Sequence, residues 1–149
     1  MRIILASASK QRQDIFNMIG LKYDVITSDV PEESKQIKPD KYVEELSLNK
    51  AKSVEKQIDG KAIIVSADTI IYSNNKIYEK PKNKEEAYLG LKELSNSKCT
   101  AYTGITLIDL YQEKVICSSS KVDVYFNEIT DEEATWYVNN VEKILKCCC

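Results

Sequence analysis

Two rhythms of apolar positions alternate along the chain. Short runs rich in β-branched residues predict strands: Arg2–Ala6 (RIILA), Leu21–Thr27, Ala62–Val65 and Ile70–Tyr72. Asn74-Asn75 is a turn signal that folds Ile70–Ser73 back on Lys76–Glu79 as a hairpin, closed by Lys80-Pro81. Two longer β-type segments, Cys99–Leu110 and Val115–Phe126, are joined at Tyr111–Lys114 and read as an antiparallel pair. Thr103-Gly104 interrupts the first of them and predicts a bulge or a close backbone approach. The helical rhythm appears four times. Arg12, Ile15, Phe16 and Ile19 share one face of a helix that Ser9 caps and Gly20 stops. Val43, Leu46, Val54 and Ile58 form the stripe of a helix running from Pro39 or Asp40 to about Ile58. Ala87, Leu91 and Leu94 point inward from Asn83–Leu94. A last helix opens at Thr130, carries Asp131, Glu132 and Glu133 in its first turn, and runs through Trp136 and Val138 to about Leu145. Ser28–Lys38 is polar and reads as a loop. Crossover and hairpin connections together predict a single α/β domain with a mixed sheet and flanking helices.

Three charged residues break this pattern. Asp68 stands between two apolar runs, where a carboxylate is costly to desolvate unless paired, hydrogen-bonded or bound to metal. It either caps a turn between two short strands or serves a function. Lys50 falls four after Leu46 and four before Val54, on the apolar stripe, so it either snorkels at the helix edge or aims into a pocket. Arg12 leaves its helix on the side of Ile15 and Phe16. A strand feeding straight into a helix start through Ser7-Ala8-Ser9 makes an anion site, which favours phosphate binding by Arg12 over snorkelling.

Composition narrows the chemistry. The 149 residues contain no histidine, which removes Ser-His-Asp and Cys-His nucleophilic sites and every His-containing metal site. Carboxylates and lysines suit a hard cation such as Mg²⁺ with a phosphate-bearing substrate. A net charge of −2 argues against general nucleic-acid binding, and no run approaches the length of a membrane span. Cys99 and Cys117 fall in predicted strands and read as small core residues in a reducing, cytoplasmic setting. Cys147, Cys148 and Cys149 end the chain without a prenylation pattern.

Taken in order, Leu5-Ala6-Ser7-Ala8-Ser9 with Arg12, Asn49-Lys50-Ala51, Ala67-Asp68-Thr69, Lys80-Pro81, Glu86-Ala87 and Tyr102-Thr103-Gly104 resemble the Maf family of nucleoside triphosphate pyrophosphatases. The resemblance implies an elongated α/β fold with a central cleft, similar to inosine triphosphate pyrophosphatases. It implies hydrolysis of a nucleoside triphosphate to the monophosphate and pyrophosphate with a divalent cation, usually Mg²⁺, and a homodimer. By the same resemblance Asp68 is the proton acceptor or a metal ligand. Ser7 and Arg12 match the N-terminal phosphate-binding segment, Lys50 and Lys80 the two phosphate-contacting lysines, and Thr69 joins the substrate-binding set beside Asp68. Glu32 or Glu33 matches an acidic loop residue that would share the metal. Ala67-Asp68-Thr69 looks like the branch acting on dTTP and UTP, whereas the 7-methyl-GTP branch tends to carry Ser-Asp-Gln. The alternatives are a pyrophosphatase for 7-methyl-GTP or ITP, or a non-catalytic nucleotide-binding relative. Two departures stand out. The family's Ser-Pro-Arg-Arg is Ser9-Lys10-Gln11-Arg12 here, and Lys10 cannot fork to a phosphate as arginine does. The family's later Gly-Ala-Tyr segment, with its Gln-Gly pair, has no counterpart before Cys149, so the resemblance implies a domain short by roughly a fifth to a quarter of the usual size.

Overall fold

The computed structural model describes residues 1–31, 33–78 and 80–141. Among them the elements follow as β1 (Ile3–Leu5), α1 (Lys10–Met18), β2 (Asp24–Val25), α2 (Pro39–Glu55), β3 (Ile63–Ser73), β4 (Lys76–Tyr78), α3 (Lys84–Leu94), β5 (Lys98–Asp109), β6 (Lys114–Tyr125) and α4 (Asp131–Asn140). The strands make one mixed sheet in the order β2-β1-β3-β5-β6, with β4 paired to β3 off this path. β1 runs parallel to both β2 and β3, and β4 runs antiparallel to β3. The expected α/β class with a mixed sheet is therefore what the chain builds.

Residues cluster into two compact units, one made of Met1–Thr69 with Thr103–Ser120 and the other of Ile70–Tyr102 with the chain from Lys121 on. β3, β5 and β6 run through both. In the first unit, Ile4, Ala6, Ala51, Val54, Ala62, Ile64 and Ile108 bury a core between α2 and the sheet. The helix begins because Pro39 sits in its first turn, where a missing N–H costs nothing. In the second unit Tyr78, Leu94 and Cys99 form one cluster, and Ala87 with Val138 joins α3 to α4 in another. Burial pushes the Cys99 thiol up, away from the reactive thiolate form. Asn83 caps α3 by accepting from the Glu86 N–H at 2.8 Å. Thr130 and Glu133 make a reciprocal capping box at α4. Residues 142–149, which include the predicted end of the last helix and Cys147–Cys149, lie outside the described residues, as do Glu32 and Glu79.

Several expectations are corrected. Ala62–Val65 and Ile70–Tyr72 are not two strands with a turn at Asp68: β3 is continuous through it, and the turn-cap reading of Asp68 falls. Leu21–Thr27 yields only the two-residue β2, whose side chains are both exposed. α1 buries none of its residues, and Ile15 and Ile19 are 55% and 62% exposed. Its anchors are instead polar contacts and the edge-on packing of Phe16 against Tyr23. Ser9 occupies the N-cap position but does not cap; its hydroxyl donates to the Gln11 side chain. Gly20 does stop α1: at φ 72° it lets its own N–H reach Asn17 O and the next one reach Phe16 O, closing the helix with paired carbonyls. Cys117 is exposed rather than core, because β6 lies at the end of the sheet order and has β5 on one side only.

α2 is tied to β6 within the first unit through Glu44. Its carboxylate accepts from Lys41 Nζ and Ser119 Oγ, both at 2.7 Å. The Lys41 bond first, and the Ser119 bond second, hold the Glu44 carboxyl below the usual carboxylate range. A folded-state pKa lowered in this way adds stability above the unfolded value, and that stability is lost as pH falls through the folded value. The urea midpoint of unfolding is therefore expected to fall on acidification below about pH 4.5, the ordinary value for this group. Glu44→Gln should flatten that slope, since the amide still accepts from Ser119 but does not titrate. Identical slopes for the two proteins would refute this role.

Candidate functional site

β3 carries the centre of the site. Side chains alternate along a strand, and from Ile63 to Thr69 of β3 the buried positions are Ile64, Ser66 and Asp68, while Val65, Ala67 and Thr69 are less so. The buried row faces α2. There Lys50 Nζ donates to Asp68 Oδ1, and the two side chains are 10% and 9% exposed. Lys50 thus lies on the apolar stripe because a carboxylate waits opposite it, not because it snorkels. The attraction between the two offsets part of what each loses on leaving water, so removing one strands the other's charge at greater cost.

Thr69 leaves β3 on the other face and joins a second polar cluster. Arg12, on α1, donates from Nη1 to Ser7 Oγ at 3.1 Å and from Nη2 to Thr69 Oγ1 at 3.4 Å. Thr69 and Thr103 bring their hydroxyls within 3.0 Å. Ser7 is buried just past the end of β1, and its hydroxyl also accepts from the Ser9 N–H. This turn holds Ser7 and Arg12 together as the strand-to-helix junction predicts, although the arginine anchors on hydroxyls rather than packing under an apolar helix face.

The two clusters meet at a break in the strand pairing. β1 pairs with Ile63–Val65 of β3 and β4 with Ile71–Ser73, so neither reaches Asp68 or Thr69. Both residues therefore border the space past the carboxyl end of β1. In open α/β sheets that is where ligands settle, because helix N-termini and loop side chains converge there. A shallow hollow along α4, lined by Asp131, Thr135, Trp136 and Asn139, belongs to the second unit and touches none of these residues.

The first unit thus gathers Ser7, Arg12, Lys50, Asp68 and Thr69. Lys80 follows β4 in the second unit. Glu33 is exposed in the loop before α2, and Glu32 lies outside the described residues. Among the described residues no three carboxylates or cysteines converge as a ready-made cation cage. Asp68 is nevertheless of the right kind for a cation that arrives on phosphates, since Mg²⁺ usually takes one or two carboxylates and completes its shell with phosphate oxygens and water. No helix among the described residues is long and apolar enough to cross a membrane. Sequence reasoning did not single out Ser47, Ser66 or Thr106, and it marked Thr103 as part of Tyr102-Thr103-Gly104 without assigning it to the site. The one signal near Thr106 was Gly104, two residues before it, read as a bulge or a close backbone approach.

The chain resembles known proteins in both sequence and shape. It is 38% identical over 142 residues to a dTTP/UTP pyrophosphatase of Thermoanaerobacter sp. (strain X514), covering 95% of this chain and 74% of that one. It is 36% identical over 148 residues to a dTTP/UTP pyrophosphatase of Clostridium perfringens (strain ATCC 13124), covering 98% and 77%. Among solved structures, the Ham1 protein of Staphylococcus aureus superposes with a TM-score of 0.57 at 19% identity, over 88% of this chain and 73% of that one, which speaks for the fold alone. The model of the Maf-like protein family matches residues 2–149. With the six ordered motifs and the relatives in agreement over nearly its whole length, this chain belongs to the Maf-like family.

Proposed function

We propose that the protein hydrolyses dTTP and UTP to the nucleoside monophosphate and pyrophosphate. The observation that carries this reading is the buried Lys50–Asp68 pair beside the Ser7–Arg12–Thr69 cluster, past the end of β1, in a chain whose relatives are named for that activity. Attack of water on the α-phosphorus needs a positioned base, and it needs positive charge where negative charge builds on the leaving pyrophosphate. Asp68 is the base in this reading: it orients the water and takes its proton as the P–O bond forms. Before substrate arrives, Lys50 shares Asp68 Oδ1. An incoming triphosphate offers Lys50 a stronger anion, and the lysine's shift to a phosphate oxygen frees that carboxylate oxygen for water. Arg12 already presents a forked donor set and clamps phosphate from the other face of β3, with Ser7 and Thr69 handing over their bonds. Lys80 is assigned as a further phosphate contact by the family pattern.

A divalent cation such as Mg²⁺, which prefers oxygen donors, would be held by Asp68 together with the substrate's phosphates, and by the family pattern Glu32 or Glu33 is the acidic loop residue that would share it. When bound, it supplies extra positive charge at the phosphoryl oxygens. The cytoplasm, where nucleotide pools are kept and thiols stay reduced, is the setting that fits the activity.

Product analysis tests the assignment. With dTTP or UTP and Mg²⁺, the expected products are one monophosphate and one pyrophosphate per turnover. Release of orthophosphate in place of pyrophosphate would overturn it. Faster turnover of 7-methyl-GTP or ITP than of both dTTP and UTP would keep the reaction and reject the substrate choice.

A further inference from the structure

Beneath the Lys50–Asp68 pair lies a buried run of small hydroxyls that the reaction itself does not use. Ser66, two before Asp68 on β3, donates its hydroxyl to the Ser47 carbonyl at 2.6 Å. Ser47, three before Lys50 on α2, brings its own hydroxyl to 2.9 Å from Thr106 Oγ1 on β5. All three residues are 0% exposed. Two residues before Thr106, Gly104 lets the backbones of α2 and β5 touch. A Cβ there would stand 2.1 Å from Val43 O and 2.3 Å from the carbonyl carbon. Helices normally rest on sheets through side chains, with several ångströms of padding. Here one turn of α2 rests on bare strand and is fixed by hydroxyl bonds.

This contact matters for Lys50 in particular. Val43, Ser47 and Lys50 follow one another at four- and three-residue steps and so share a face of α2. Anything that fixes the first two fixes the roll and height of the helix at the third. Nonpolar packing tolerates sliding, whereas a hydroxyl pair at 2.9 Å does not. We propose that Gly104 and Thr106 are positioning residues, which seat α2 on β5 so that the Lys50 ammonium is delivered to Asp68 and, in turnover, to the phosphate. This rests on the pyrophosphatase reading for its kinetic consequences, but the geometry is testable without substrate.

Thr106→Val keeps the side-chain shape and removes the hydroxyl, and Ser47 retains the Glu44 carbonyl at 3.0 Å as a partner, so the fold is not left with a stranded donor. Thr106→Ser restores the hydroxyl and serves as the rescue. Lys50 is protected by burial, so its rate of acetylation by acetic anhydride, which releases acetate as the amide forms and is read by peptide mass mapping, reports its seating directly. In Thr106→Val that rate is expected to rise about tenfold, and kcat for pyrophosphate release from dTTP to fall about tenfold or more, because sub-ångström to ångström misplacement of a catalytic group carries costs of up to roughly 10²-fold. Thr106→Ser should behave as the unaltered protein in both. Gly104→Ala should show the same two changes, larger, and if it does not fold the Thr106 pair decides alone. Unchanged Lys50 labelling in Thr106→Val, or equal impairment of the Val and Ser variants, would overturn the proposal. If the unaltered protein releases no pyrophosphate, the functional reading fails while the labelling result still decides the positioning role.

Discussion

Asp68→Asn is expected to slow pyrophosphate release from dTTP by roughly 10²–10⁴-fold, the range that removal of a general base commands. The amide has the carboxylate's shape, and its carbonyl oxygen still accepts from Lys50, so the variant should keep the sheet and the helix contact. What it loses is the ability to take a proton from water. The effect should therefore appear in kcat far more than in KM, since Arg12, Ser7 and Thr69, the proposed phosphate contacts, cluster on the other face of β3 and are untouched. Some stability is lost as well, because a buried ammonium exchanges a carboxylate acceptor for a neutral amide oxygen, and the rates need to be compared at a temperature where both proteins are folded. Equal turnover by the two proteins would remove Asp68 from the chemistry and leave it as a structural partner of Lys50.

Lys50→Met makes the converse change, and its largest effect is expected on stability. The methionine fills much of the same volume, but Asp68 is then a carboxylate at 6% exposure with its cation gone. Breaking a buried pair from one side costs about 3–5 kcal/mol, most of it the desolvation of the stranded partner. Replacing both, as in Lys50→Met with Asp68→Leu, removes the stranded charge and should recover most of the loss without recovering any activity. The urea midpoints of the single and double variants close a cycle whose coupling term isolates the pair. A single-variant loss below about 0.5 kcal/mol, the ordinary range for a surface substitution, would mean that the pair is hydrated and that Asp68 does not depend on Lys50.

The parts of the fold legible in the sequence were those set by local backbone chemistry. Asn74 and Asn75 both adopt positive φ, as the hairpin turn requires, and Gly20, Pro39 and Thr130 act where their backbone preferences put them. Asp68, Lys50 and Arg12 were legible as charges at positions patterned for apolar residues. What could not be read was decided by partners far along the chain. Ile15 and Ile19 repeat at helical spacing, yet both stay more than half exposed, and periodicity cannot say whether a neighbour exists. Cys117 looks like a core residue until the strand order places β6 at the end of the sheet. Ser47, Ser66 and Thr106 are small polar residues within otherwise apolar faces, and taken singly each reads as an interruption. Only their meeting across 19 to 59 positions of sequence turns three interruptions into one fixed contact.

The Lys50–Asp68 pair also limits how this sequence can change over generations. Lys50, altered alone, strands the Asp68 carboxylate in the interior. A lineage that drifted away from the reaction by losing Lys50 first would then have to cross a poorly folded intermediate. Lys50 is thereby held in place by folding for as long as Asp68 stays, even where selection for turnover is relaxed, and its presence in a descendant testifies first to ancestry and only second to activity.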